Sequence, residues 1–502
     1  MKLVFLLTML ASASAGNNVL LIIADDYGVD AQSLYNPGGT TAPTPNINTL
    51  AASGVRFTNA YACPVCSPTR ACILTGRLGF RTGVGEVVSS VNELTTGELT
   101  LPEVLTQNSH LGIAAASFGK WHLSSGTPAE VRTLPNTIGG WPHYAGSTTG
   151  ALTSYTSWTK TTNGVNTNHT TYATTDVVND AAAWISARNT AGQKWLAWVA
   201  FNAPHTPFHI PPTDLHSFGA NPATNALKYR AAVEAMDTEI GRLLLSVNPS
   251  TTDIIFIGDN GTPGQVIQTP YNGAHSKDTL YEGGTRVPFI IKGPSVISGG
   301  RTDSSLVHVV DLFSTMLALA GVPLPTSVAL DSKSLQPILA NHGDASRNRL
   351  YVEQFDQSAS TTGGRAIRDD RYKLIRYHAG TEEFYDLVSD PFEGINLLSG
   401  GLASMATERQ NYYHRLRYDL GRYTSETAPI VSNVTLQSGS FQITVPKNAT
   451  TAQTLYRCTD LKNDFWAPVA GTTHSLSGPD ITFTDPAPLS TRAFYSVLTD
   501  TP

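Results

Sequence analysis

Charge is scarce in this chain. Only 14 % of its 502 residues are Asp, Glu, Lys or Arg, against about a quarter in ordinary soluble domains. No run of five Lys or Arg occurs and the net charge is −6, so the concentrated basic footprint of a nucleic-acid binder is missing. Four cysteines in a chain of this length exclude a disulfide-stapled scaffold. No apolar run approaches the roughly 18 residues needed to cross a bilayer. What is present is ordinary in kind: 41 % hydrophobic residues, too many for a disordered composition, and length for roughly three domains of about 150 residues each. Thr, Ser, Gly, Ala and Asn stand where charge is missing, a composition that suits a secreted surface.

The first fifteen residues agree with that surface. Lys2, the apolar run Leu3 to Leu10 and the small residues Ala13-Ser14-Ala15 have the pattern of a secretory signal peptide. Cleavage is expected near Ala15-Gly16, and the protein is expected to be secreted or periplasmic. Over residues 16–295 apolar strands such as Val19 to Ala24, Trp195 to Phe201, Ile254 to Gly258 and Val287 to Ile291 alternate with helical stretches such as Thr174 to Arg188 and Lys228 to Leu245. Uninterrupted apolar strands are covered on both faces, so an α/β domain, a three-layer sandwich around a mostly parallel central sheet, is expected. Residues 296–424, with a helix at Val309 to Ala320 and strands at Arg371 to Arg376 and Glu383 to Leu387, read as a smaller α+β subdomain. In 425–502 short alternating segments, Ser440 to Val445 and Ile481 to Thr484, are separated by turn residues. They predict a small all-β module.

Two pairs of oxygen-bearing residues follow apolar strands directly: Asp25-Asp26 and Asp259-Asn260. Ligands of open α/β sheets bind beyond the carboxyl ends of strands, so both pairs point at one crevice. Three carboxylates and an amide oxygen suit a hard cation, calcium rather than zinc; a turn or helix cap is the competing reading of each pair alone. Cys63-x-x-Cys66 has no second Cys or His pair at zinc spacing. In Cys66-Ser67-Pro68-Thr69-Arg70, Ser67 is a good helix cap and Pro68 a good first-turn residue. Cys66 is then expected at a helix N-terminus, which favours anions, with Arg70 one turn along on the same face. The bland alternative is a buried thiol and a surface arginine.

The stretch Cys66 to Gly76 resembles the signature of the type I, formylglycine-dependent sulfatases of the alkaline phosphatase superfamily. Further segments match in order: Gly119-Lys120-Trp121-His122, Ala203-Pro204-His205-Thr206-Pro207, Gly258-Asp259-Asn260-Gly261, and Lys277 with Tyr281 to Pro288. Tyr385-Asp386-Leu387 with Asp390-Pro391 and Asn396-Leu397 resembles a marker of the family's C-terminal subdomain. The resemblance covers about residues 17 to 400.

That resemblance implies conversion of Cys66 to formylglycine by a formylglycine-generating enzyme, and one calcium ion held by Asp25, Asp26, Asp259 and Asn260 with residue 66 as a further ligand. It implies sulfate binding by Lys120 and Lys277, support from Arg70, and His205 as the acid for the departing alcohol. One hydroxyl of the hydrated aldehyde would attack sulfur; the second, deprotonated with His122, would expel sulfate. Cys63 and Cys72 have no role in the family pattern: packing thiols, or a disulfide. If the Lys-x-His segment is a strand, Lys120 and His122 face one side. Pro207 breaks any helical His205/His209 metal pair.

His275 departs from the family, which has a small residue there; a substrate contact and a place on the rim are both open. The family's further polar group between His122 and His205 is not located. Trp141, Tyr144, Tyr155 and Trp158 are candidates for a sugar subsite, with core packing the alternative; Trp184, Trp195 and Trp198 are expected in the core. The expected activity is hydrolysis of sulfate monoesters, of sulfated carbohydrate or aryl sulfates. The alternatives are a phosphate or phosphonate monoester hydrolase of the same superfamily, and a catalytically dead carbohydrate-binding homologue.

Overall fold

A computed structural model describes residues 16–342, 347–356, 363–424, 433–437, 440–446, 452–458, 466–477, 480–488 and 493–500. The leader expected at residues 1–15 lies outside them.

Ten strands form the main sheet: β1 (Asn18–Ala24), β2 (Val55–Tyr61), β3 (Ala114–Gly119), β4 (Tyr144–Gly146), β5 (Trp158–Thr162), β6 (Val165–His169), β7 (Trp195–Ala200), β8 (Thr252–Gly258), β9 (Phe289–Lys292) and β10 (Arg301–His308). Their order is β10-β2-β9-β8-β1-β7-β3-β4-β5-β6. The centre, β8-β1-β7-β3, is parallel throughout. Along β1 the side chains alternate between two cores: Val19, Leu21 and Ile23 on one face, Leu20, Ile22 and Ala24 on the other. The first face packs on helices Cys66–Thr75 and Asp311–Ala320, the second on helices Ala173–Thr190 and Asn225–Leu244. Both faces of the sheet's centre are therefore dry, which is why β1, β7 and β8 read as apolar runs. The three-layer α/β architecture is as expected. Two strands run against the rest: β5, antiparallel to β4 and β6, and β9, which holds most of Val287 to Ile291 and is antiparallel to both β8 and β2 because the chain returns from β8 through a loop rather than a crossover helix.

Four further strands, β11 (Leu350–Gln354), β12 (Gly364–Arg368), β13 (Tyr372–Tyr377) and β14 (Glu382–Asp386), make an antiparallel sheet. The helix Thr407–Thr424 packs on it and carries Leu416 and Leu420 into the main core. C-terminal to that helix, two small antiparallel sheets enclose a core of Ile443, Val445, Leu455, Phe483 and Val497. Tyr418 of the helix stacks on Trp466, with ring centroids 4.7 Å apart.

Candidate active site

The parallel centre of the sheet delivers its chemistry at one end. Ala24 and Gly258 are register partners, so Asp25-Asp26 and Asp259-Asn260 leave neighbouring strands at the same height. All four are buried. The Asp25 N–H donates to Ala203 O, and the Asp259 N–H to Ala24 O. Asp26 takes a positive φ of 67°, and its N–H donates to Asp259 Oδ1 at 3.1 Å. β7 and β3, the next strands across, lead into the segments bearing His205 and Lys120-Trp121-His122.

Cys66 opens the helix Cys66–Thr75, whose N-cap is Val65. Ser67, expected as the cap, lies inside the first turn, and its hydroxyl accepts from the Val88 N–H. The earlier start seats the thiol in the first turn itself. Arg70, fully buried, binds in two directions: Nη1 donates to Lys120 O at 2.9 Å and Nη2 to Asp259 Oδ2 at 2.7 Å. The thiol, Asp25 and Asp259 offer ligand atoms within 4.8 Å of one another, as do Asp25, Asp26 and His205.

Lys120 and His122 reach the cluster from beyond the end of β3, so strand alternation is not what aligns them. Lys120 Nζ pairs with Asp25 Oδ2. His122, at φ 52°, puts Nδ1 3.0 Å from Cys66 Sγ. A Cβ at Gly150 would lie 2.3 Å from His122 Nε2, so only glycine leaves the ring room there. Lys277 Nζ lies 2.5 Å from Asp26 Oδ1. The His205 Nδ1–H donates to Thr206 O at 2.8 Å, which turns Nε2 toward Asp26 Oδ2, 3.8 Å away.

Burial raises the Cys66 thiol, with Lys120 opposing and Asp25 assisting. An unmodified Cys66 is thus held as a thiol, a weak nucleophile. Burial also lifts Asp259 to about 7, helped by the neighbouring charge of Asp25. Asp25 stays below the usual carboxylate range because Lys120, His205 and Arg70 outweigh the cost of its burial. Burial, then Lys120 and Arg70, push His122 well down, so its imidazole is neutral. Two acceptors remain: Asp25 Oδ1 and Asn260 Oδ1 are buried and accept no hydrogen bond. Buried oxygens are nearly always satisfied, and an all-oxygen set with two open acceptors fits a hard cation.

Not every expected residue joins this group. His275 stacks on Tyr281, with centroids 3.6 Å apart; the structure does not bring it to the cluster. The short turn Gly273–His275 carries it away from Lys277, two residues on. Trp141, Tyr144, Tyr155 and Trp158 are buried, which corrects the sugar-subsite expectation: β4, β5 and their loops fold these rings into the core. Tyr155 instead serves the site indirectly, its hydroxyl donating to Asn202 O and His205 O at 2.6 and 2.8 Å. Trp195 and Trp198 are buried as expected, and Trp184 packs at the edge of the core. Cys63 and Cys72 are free buried thiols, with sulfurs 3.9 Å apart. Sequence reasoning missed Tyr229, whose hydroxyl donates to Asp26 O at 2.7 Å, and Thr262, which accepts from the Gly28 N–H; both hold the Asp26 loop and lie in no motif that spacing reveals.

Comparison with known proteins places the chain. The Sulfatase family matches residues 17–322, and the family described as N-sulphoglucosamine sulphohydrolase, C-terminal, matches residues 272–417. Arylsulfatase A of Homo sapiens is 32 % identical over 450 residues, covering 78 % of this chain and 85 % of that protein. Arylsulfatase G of Rattus norvegicus is 28 % identical over 416 residues, covering 73 % and 76 %. The solved structure of Ps i-CgsB in complex with k-i-k-neocarrahexaose shares the fold at a TM-score of 0.70 and 22 % identity, covering 81 % of this chain and 92 % of that one. With the first of these matches spanning more than half of its length, the chain belongs to the type I, formylglycine-dependent sulfatase family and is a sulfuric ester hydrolase.

Proposed function

We propose that this chain is a secreted sulfatase acting on sulfate monoesters of carbohydrates, with formylglycine made from Cys66 and calcium held by Asp25, Asp26, Asp259 and Asn260. The observation that carries it is the pair of open buried acceptors, Asp25 Oδ1 and Asn260 Oδ1, set beside the residue 66 side chain and two lysines. Bound there, calcium would supply positive charge to the nucleophile and to a sulfate oxygen. A formylglycine hydrate at position 66 would supply two hydroxyls, one to attack and one to release the product.

This chain's own residues do the remaining work. A sulfate ester gathers negative charge on its equatorial oxygens in the transition state, and preorganised cations stabilise that charge most where water is excluded. Lys120, buried, and Lys277, largely buried, stand at the cluster for this. Arg70 fixes residue 66 relative to Asp259 and the Lys120 carbonyl. His122, neutral and 3.0 Å from the residue 66 side chain, is placed to take a proton from it. His205, its Nδ1–H committed to Thr206 O, presents Nε2 to protonate the departing alcohol. The leader-like sequence pattern of residues 1–15 supports secretion, and among the described residues no helix is long and apolar enough to cross a membrane. The carbohydrate substrate is supported by the neighbour solved with a neocarrahexaose. Residues 425–502 are proposed as a β-rich accessory module.

Mass analysis of the peptide containing residue 66, after expression with a formylglycine-generating enzyme, should show the aldehyde. The same sample should hydrolyse 4-nitrophenyl sulfate well ahead of 4-nitrophenyl phosphate and lose that activity to a calcium chelator. An unmodified thiol in fully active protein, or phosphate as the better substrate, overturns the proposal.

A further inference from the structure

Beside the nucleophile the surface opens into a cleft of about 570 Å³. Val65, the residue before Cys66, forms part of its wall, with Val87, Gln265 and Lys277. Two carboxylates, Glu86 and Asp278, are also in the lining. Lys277 points inward, Nζ 2.5 Å from Asp26 Oδ1, so its charge belongs to the reacting centre. Among the described lining residues it is the only Lys or Arg, and the outer cleft is left acidic.

The two acids are placed, not loose. Gln354, at the end of β11, donates from one amide nitrogen to Glu86 Oε2 at 2.9 Å and also to Asp278 Oδ1. Glu86 Oε1 accepts from the Val87 N–H at 2.8 Å. Asp278 sits at φ 71°, in the left-handed region that residues with a Cβ seldom occupy. Its N–H donates to Pro64 O and that of Lys277 to Thr262 O, each at 3.0 Å. Strain of this kind persists where the surroundings over-determine it, and it concentrates at ligand sites. Here it lets adjacent residues serve different places, the ammonium turning to Asp26 and the carboxylate to Gln354.

We infer that this cleft receives the leaving alcohol, and that Glu86 and Asp278 make it select alcohols bearing further hydrogen-bond donors while rejecting those that carry a second anionic group. The inference rests on the reading of Cys66 given above. Ionised carboxylates only accept hydrogen bonds, so they match sugar hydroxyls and ammonium groups. A second sulfate or a uronic carboxylate would meet like charge, and such repulsion discriminates between partners more than attraction does.

Three esters differing in ring charge test this: 4-nitrophenyl sulfate, 3-carboxy-4-nitrophenyl sulfate and 4-(2-aminoethyl)phenyl sulfate. Their intrinsic reactivities differ, so each variant is compared with the parent on the same ester. In the Glu86→Gln/Asp278→Asn double variant, kcat/KM on the carboxylated ester should rise about tenfold relative to that on 4-nitrophenyl sulfate. The aminoethyl ester should fall relative to the same reference. A relative change under about twofold on the carboxylated ester overturns the inference. Calorimetric binding of the carboxylated and aminoethyl esters to Cys66→Ala, with the cleft intact, gives the order without turnover: the aminoethyl ester about tenfold tighter supports the inference, and equal affinities overturn it. Should that order hold while the parent turns over no ester, the Cys66 reading falls and the cleft's selectivity stands.

Discussion

Two buried clusters of charge lie on either side of the loop after Lys277, and they are finished differently. In one, Glu282 and Glu393 meet Lys373 Nζ at 3.2 and 2.9 Å. Glu282 Oε2 accepts from the Tyr61 hydroxyl at 2.7 Å, and the Glu282 N–H donates to Glu393 Oε2 at 2.6 Å. This cluster pairs its carboxylates with Lys373 and Arg368 and fastens β13 to β2 and to the loop between β8 and β9. In the other, Asp25, Asp26 and Asp259 face Arg70, Lys120 and Lys277, yet Asp25 Oδ1 and Asn260 Oδ1 accept nothing. Stability explains the first arrangement. The second fits a hard cation, which would satisfy both open acceptors.

The largest expected effect breaks the comparison at its reactive end. Cys66→Ser should cut aryl sulfate turnover by about a thousandfold or more and accumulate a sulfated protein visible by mass, with the thermal midpoint near that of the parent. Repeated turnover at the parental rate would remove the mechanism. At the Lys373 cluster, Lys373→Met leaves Glu393 without its cation and Glu282 with Arg368, 3.7 Å away. It should lose about 3–5 kcal/mol in denaturant unfolding while kcat of the folded protein holds; an unchanged midpoint would mean the two clusters do not differ in kind.

Glu353 sharpens the contrast, since this buried acid is served by the Phe80 N–H and the Tyr351 hydroxyl. Burial pushes it up to about 7 from 4.5. A raised acid holds its proton more tightly in the folded state, so its contribution is full below about 4.5 and lost as pH rises through about 7. Unfolding midpoints at acid and alkaline pH should therefore show the parent losing up to about 3 kcal/mol across that window relative to Glu353→Gln; parallel profiles would refute it. The smallest effect is expected from Tyr155→Phe, which releases the carbonyls of Asn202 and His205: about 1 kcal/mol of stability and a several-fold drop in kcat, with KM nearly constant.

The chemical centre was legible because its residues come in short contiguous blocks, each set at a strand end or a helix start. Asp25-Asp26 and Asp259-Asn260 follow unbroken apolar strands, and a parallel sheet puts such ends together. Spacing misled where a turn intervenes. His275 and Lys277 are two apart, but the turn at Gly273–His275 and the positive φ of Asp278 send their side chains to different neighbours. For the tryptophans and tyrosines between motifs, spacing does not separate a sugar subsite from a core; the pairing of β4 with β3 and of β5 with β4 carries their segments into the core. Glu86, Asp278 and Gln354 come from three distant segments, so no local pattern could have grouped them.

The packing of the helix Cys66–Thr75 sets an order of events in the life of the protein. Cys66, Pro68 and Arg70 are all buried, and Arg70 is bolted to two other segments of the chain. A maturation enzyme converting Cys66 would find no surface to grip there once the layers have assembled. Under the proposed chemistry, the aldehyde has to be installed while this stretch is still an open strand of polypeptide, and a chain that folds first is locked into a stable, well-formed and permanently silent state.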